Sequence, residues 1–291
     1  MGVQASDIMK LRASTGAGMM DCKNALEEAG GDMEKAADLL RKKGIIKAAK
    51  RADKVAADGR VDGVVTADEK AGALVEVNCE TDFVAKSDDF IAFSKEVAAI
   101  VADNNPADME ALLKQTLPNG KTIAEQVGEL TLKIGEKISV RRFTRFASEA
   151  GKVYIYLHGT KIGVVLELQG GNGGVGVDVA MHVAASNPKY LNRTQVDAAE
   201  VEKEKAVYVE QLKQQNKPAN IIENIVKGKL DRFYSEICLL EQPFIKDEDK
   251  KVEQFVKEQG GTIVRFARYE LGEGIEKVTK DFAAEVAEQL K

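Results

Sequence analysis

The chain has 291 residues, a formal net charge of −5, 44% hydrophobic and 31% charged residues, 5% aromatics and no Trp. That length accommodates two or three compact units, each with its own core, and the composition excludes a disordered chain. Mild acidity and few aromatics disfavour a general nucleic-acid binder or a base-stacking surface and leave only a local basic patch open.

No run of ~18 apolar residues occurs and the amino terminus lacks a signal-peptide pattern, so a cytoplasmic chain with no membrane span is expected. Cys22, Cys79 and Cys238 are far apart, with no CxxC pair, and read as buried free thiols. Only His158 and His182 are present, too few for a His-based metal site or a Ser-His-Asp triad. The reading is therefore no enzyme, no catalytic residue, no metal and no cofactor.

In chain order, Asp7–Ala13 and Met19–Ala29 carry helical spacing, separated by the breaker Thr15-Gly16-Ala17-Gly18. Asp32 caps a third helix whose apolar face ends at Gly44. Residues 1–45 thus form a three-helix module, and residues 46–58 a basic, Ala-rich helical linker. The TGAG string lacks the phosphate-loop pattern and follows a helix instead of a strand. One of the consecutive pair Met19 and Met20 must face away from the core, either as an adaptable contact or as surplus at the core edge.

Three ordered matches then reveal an internal duplication. KAGALVEVN (70–78) aligns with KIGVVLELQ (161–169) at an offset of 91, EVAAIVADNNP (96–106) with DVAMHVAASNP (178–188) at 82, and RFTRF (142–146) with RFARY (265–269) at 123. Each copy reads as a hairpin, a helix ending before Asn-Pro, and a late third strand, with Val61–Thr66 and Lys152–Leu157 opening the hairpins. The fold class is α+β: two related antiparallel sheets side by side, each with a helix on one face and the other face of its late strand wet. The core subdomains span 59–147 and, in two pieces, 148–192 and 236–270.

The drop in offset from 91 to 82 places nine extra residues on or beside Glu80–Asp88, where Glu80-Thr81-Asp82-Phe83-Val84-Ala85-Lys86 follows the alternating segment 73–79. The sister copy holds a flexible glycine link, Gly170–Gly174, with no large side chain. A fold that manages once without this loop does not need Phe83 for its core, so the ring reads as held out for a partner. The later surplus of 41 residues contains Gln195–Gln215 and Ala219–Ser235, a helical hairpin over 193–235 that either projects as a coiled coil or lies flat on the sheet. Residues 271–291 end in an amphipathic helix with Phe282, Val286 and Leu290 on one side, capping its own core or docking on a partner.

LRASTGAGMMDCKNAL (11–26), NCETDFVAK (78–86), HGTKIGV (158–164) and AMHVAASNP (180–188) resemble the bacterial elongation factor Ts family, the guanine-nucleotide exchange factors for elongation factor Tu, over the whole length. The order of a three-helix, UBA-like module, a duplicated core, a helical arm and a C-terminal module agrees with that family. The resemblance implies binding to GDP-bound elongation factor Tu, as a heterodimer or a dimer of heterodimers. Thr81, Asp82, Phe83 and Val84 would enter the GTPase domain near its magnesium site. It also implies further contacts through Met19, Met20, His158 and His182, with no membrane and no direct nucleic-acid contact. Against it stand a general interaction protein or holdase, an RNA binder using Lys47, Lys50, Arg51 and Lys54, and an enzyme using Asp88 and Asp89, whose carboxylates read better as a solvated helix start.

Overall fold

In the computed structural model, which describes residues 3–215 and 218–276, helices and small antiparallel sheets combine in an α+β arrangement. The first half runs α1 (Ala5–Thr15), α2 (Met19–Glu28), α3 (Met33–Lys50), β1 (Asp58–Val65), β2 (Ala71–Cys79), the single turn α4 (Asp82–Ala85), α5 (Asp88–Asn104), α6 (Met109–Leu113), α7 (Ile123–Ile134) and β3 (Ser139–Ala147). The second runs β4 (Lys152–His158), β5 (Ile162–Gly170), α8 (Gly173–Ser186), α9 (Ala198–Gln214), α10 (Ala219–Ile237), β6 (Pro243–Phe244), β7 (Asp247–Lys251), α11 (Val252–Glu258) and β8 (Gly261–Glu270).

The three N-terminal helices close over Leu11, Cys22, Leu26, Ala36 and Leu40, and Leu132 of α7 completes that core. Gly16 turns α1 off in the left-handed conformation at φ 69°, and the Asp32 carboxylate starts α3 by accepting from the Glu34 and Lys35 N–H groups at 3.1 Å each. Gly44, expected to end α3, lies inside it instead. A Cβ there would sit 2.8 Å from the Gly128 carbonyl oxygen, so α3 crosses α7 backbone to backbone at a glycine pair. The linker, expected to be helical, continues α3 as far as Lys50 and is irregular beyond it.

Two three-stranded antiparallel sheets, ordered β1-β2-β3 and β4-β5-β8, form the centre. Their local details repeat. The register shifts after Glu76 in one middle strand and after Glu167 in the other. Arg145 of β3 donates to the Ala102 carbonyl of α5 at 2.7 Å, while Arg268 of β8 donates to the Ala184 carbonyl of α8 at 3.2 Å. Asn105 and Asn187 end those helices with φ 49° and 45°. Each helix covers the outer face of its own sheet.

The inner faces meet across Val61, Leu74, Phe146, Val153, Val165 and Tyr269. Glycine permits that approach: a Cβ on Gly163 would lie 2.6 Å from Val61 Cγ1, and one on Gly72 2.9 Å from Val153 Cγ1. The two sheets, expected side by side, stack face to face. The Arg142 guanidinium lies 4.2 Å from the Tyr269 ring centre and the Arg265 guanidinium 4.4 Å from that of Phe146, a reciprocal exchange between equivalent strands. The wet face expected for these strands is thus covered, because the other half of the molecule lies on it.

Glu76, fully buried in β2, binds both halves. Its carboxylate accepts from Arg141 Nη1 at 2.9 and 3.1 Å, from Arg142 Nε at 2.5 Å, from Asn78 Nδ2 at 3.2 Å and from the Gly272 N–H beyond β8 at 2.8 Å. Glu167 repeats the theme with Arg265 Nε at 2.6 Å. Burial pushes the Glu76 carboxyl up, and the bonds from Gly272, Arg141 and Arg142 together outweigh it, holding it below the ordinary value of 4.5. Helices α9 and α10 pack on each other through Leu212, Ile222 and Val226, in a cluster separate from the sheet cores. The terminal helix expected around Phe282, Val286 and Leu290 lies outside the described residues. No helix among the described residues is long and apolar enough to cross a membrane.

Removing the Glu76 side chain strands two half-buried arginines, so Glu76→Ala is expected to lower unfolding free energy by about 3–5 kcal/mol in urea titrations. Because the folded pKa is depressed, the stabilisation is complete above the ordinary glutamate value of 4.5 and disappears as pH falls through the lower folded value. The variant should therefore show a shallower acid limb than the parent, and an unchanged limb would remove Glu76 from this role.

Candidate partner-binding site

Strand β2 ends at Cys79, and the chain turns immediately into the one-turn helix α4. Thr81 caps it, its hydroxyl accepting from the Val84 N–H at 3.5 Å. With about 100° between successive helical residues, Val84 and Ala85 roll onto the first sheet core and Phe83 rolls away from it. Phe83 is 82% exposed, more than any other large hydrophobic side chain among the described residues. Leaving that ring in water forgoes roughly 2–3 kcal/mol of burial. Beside it, Lys86 donates to the Asp82 carboxylate at 2.6 Å, and this bond, the largest cause, holds the Asp82 pKa below its usual value.

The turn is braced from behind. Glu136, in the connection between α7 and β3, accepts from the Glu80 N–H at 3.2 Å and the Thr81 N–H at 3.0 Å through one oxygen, and from the Thr81 hydroxyl at 2.7 Å through the other. Glu80 in turn accepts from Arg51 Nη1 and from the Lys137 N–H, both at 2.6 Å. The Lys137 ammonium reaches the Ala52 and Lys54 carbonyls at 2.6 and 2.9 Å. Below, the buried Cys79 thiol donates to the Thr81 carbonyl at 3.1 Å; burial, with the nearby Glu136 charge, pushes it up to about 12. None of these braces was read from the sequence. The accessible signal was Thr81 itself, a capping residue placed before a short apolar turn.

Met19 and Met20 open α2 and are 44% and 64% exposed. Gly16, three residues earlier, approaches the Lys133 side chain so closely that a Cβ would meet Cδ at 3.0 Å, and Lys133 pairs with Asp89 in the first turn of α5 at 2.7 Å. His158 is exposed at the end of β4, where its Nδ1 and the Tyr156 hydroxyl share a 3.2 Å hydrogen bond.

His182, expected at a partner surface, is fully buried. Its Nδ1 accepts from the Ile245 N–H at 3.2 Å, which leaves Nε2–H to donate to Gln242 Oε1 at 2.9 Å. Desolvation lowers its pKa, the Gln242 bond only partly opposing. The ring fixes the β6–β7 hairpin on α8 and is not presented outward. The Gly170–Gly174 segment likewise differs from the slack link expected: Gly170 and Gly171 take φ 67° and 74°, and a Cβ on Gly170 would lie 2.4 Å from the Gly260 carbonyl. Among the basic residues considered for RNA, Arg51 is engaged by Glu80, and Lys47 Nζ lies 3.5 Å from the Leu132 carbonyl.

The arrangement is an exposed apolar ring beside a carboxylate paired with Lys86, on a turn whose base is bonded to Glu136 and, through Glu80, to Arg51 and the Lys137 N–H. A family model described as Elongation factor TS matches residues 80–273, beginning in this turn. Elongation factor Ts of Methylococcus capsulatus is 46% identical over 291 residues, covering 100% of this chain and 99% of that protein. Elongation factor Ts of Alkalilimnicola ehrlichii is 47% identical over the same length with the same coverage. The chain belongs to the elongation factor Ts family and is a translation elongation factor.

If the turn is held closed, iodoacetamide at pH 8 should modify Cys79 at least about a hundredfold more slowly in the native protein than in urea, because little thiolate forms and the sulfur is covered. Mass spectrometry of the Cys79 peptide reads this directly. Alkylation at the denatured rate would show that the brace does not hold.

Proposed function

We propose that the protein is the guanine-nucleotide exchange factor for elongation factor Tu, acting in the cytoplasm, and that the Thr81–Val84 turn delivers the exchange. The observation that carries this reading is Phe83, 82% exposed on a turn whose base is hydrogen-bonded to Glu136. The ring enters an apolar pocket between helices of the GTPase domain, and Asp82 disturbs the water and side-chain network around the magnesium ion. That ion joins the nucleotide phosphates to a phosphate-loop hydroxyl and an acidic residue, so displacing the network weakens GDP binding with no bond made or broken. The protein is accordingly not a catalyst of covalent chemistry.

Exchange by this route is reciprocal: the factor by which this chain loosens GDP equals the factor by which GDP loosens this chain. Burying one Phe contributes roughly 2–3 kcal/mol, so a broader grip is required. Met19 and Met20, exposed at the start of α2, supply adaptable contact to the GTPase domain. His158 faces a different domain of the partner from the second sheet. His182 contributes indirectly, by holding the β6–β7 hairpin in place.

Phe83→Ala should fold normally, since it removes an exposed ring, yet slow release of labelled GDP from elongation factor Tu by roughly ten- to a hundredfold. Parental exchange rates in a folded variant would overturn the assignment.

A further inference from the structure

We infer that Glu136 is the positioning residue for exchange: its carboxylate fixes the orientation of the Phe83 turn before the partner arrives, and the inference rests on the function proposed above. One side chain satisfies three donors at the base of the turn, the N–H groups of Glu80 and Thr81 and the Thr81 hydroxyl, at 3.0–3.2 and 2.7 Å. The Thr81 hydroxyl is also the cap of α4, so the same bond that points this hydroxyl at Glu136 orients its lone pairs toward the Val84 N–H. Without the carboxylate, two backbone donors lose their partner and the cap is free to rotate. The turn would then sample several orientations, and Phe83 would enter its pocket only from a fraction of them, lowering effective affinity by that fraction.

Glu136 lies 55 residues from Thr81 in sequence and is followed directly by Lys137. The N–H of Lys137 binds Glu80, and its ammonium binds the carbonyls of Ala52 and Lys54 at the end of the N-terminal helices. Two consecutive residues thus key the turn to the segment that leads out of α3. The orientation of Phe83 and the placement of the N-terminal helices are set from one point, so both contacts reach the partner in a fixed relation.

The test is a double-mutant cycle with Glu136→Ala, Phe83→Ala and the double variant, read as labelled-GDP release from the GDP-loaded GTPase across a range of factor concentrations. Glu136→Ala should lower the second-order exchange rate constant by about tenfold, the scale of lost hydrogen bonds to a charged group, while cooperative unfolding is retained. In the Phe83→Ala background the same change should have little further effect, because Glu136 acts through Phe83; a merely structural loss would add in full. Amide hydrogen exchange should rise at residues 80–84 and stay unchanged in β1–β3. If Glu136→Ala fails to fold, Glu136→Gln, which keeps the volume and one acceptor, takes its place in the cycle. Parental exchange in Glu136→Ala, or full additivity with Phe83→Ala, overturns this inference alone; parental exchange in Phe83→Ala overturns the underlying function instead.

Discussion

A buried carboxylate on the middle strand of the first sheet is the constraint on which the rest of the molecule depends. Glu76 has no access to water, so its charge persists only because arginines from β3 and a backbone N–H from beyond β8 converge on it. Those donors come from both halves. The interaction therefore does more than stabilise one sheet: it fixes how the two sheets lie on each other, with Arg142 over Tyr269 and Arg265 over Phe146 as the reciprocal consequence. It also fixes the direction of β2, whose last residue is Cys79. The turn that carries Phe83 is a continuation of that strand, so its foundation is set by the same buried charge.

The two halves show what the fold requires and what it adds. Both have the bulge after a buried glutamate, the arginine bound to the end of the covering helix and the asparagine that ends the helix. Only the first has α4. In the second half the equivalent passage is made by glycines in left-handed conformations, pressed against the turn before β8. The added turn does not improve the core with its largest side chain, which points to water. It is held by Val84 and Ala85 on the sheet core and, from behind, by the bonds to Glu136 and Glu80. A Phe left outward on so well-supported a turn is not what folding alone would select.

The duplication was legible because each copy reuses the same side chains for the same bonds, and so keeps Lys, Gly, Val and Glu at matching positions. The exposed turn was legible for the opposite reason, being the part that is not repeated. Gly44 was misread because a glycine that stops a helix and one that lets two helices touch look alike until the partner, Gly128, is known. His182 was placed at a partner surface by the family resemblance alone; what buries it, Gln242 and Ile245, lies some 60 residues away and leaves no local signal. The brace on Thr81 was invisible for the same reason, since nothing local marks Glu136 as its acceptor. The Thr122 to Glu125 capping box that opens α7 was, by contrast, written locally in the chain.

These features describe a braced turn whose tip is apolar and whose base is tied to the segment after α3, the α7–β3 connection and β2. On the proposed reading, the bracing matters as much as the ring. A preorganised anchor brings its burial energy to the partner without first losing part of it to ordering. The central claim, that the ring of Phe83 enters the nucleotide domain of its partner, is tested most directly by placing a photo-crosslinking phenylalanine analogue at position 83. Irradiated with GDP-loaded elongation factor Tu, it should form a crosslink within the nucleotide-binding domain, and excess GDP should suppress it. A crosslink confined to this chain itself, or to another domain of the partner, would contradict the account.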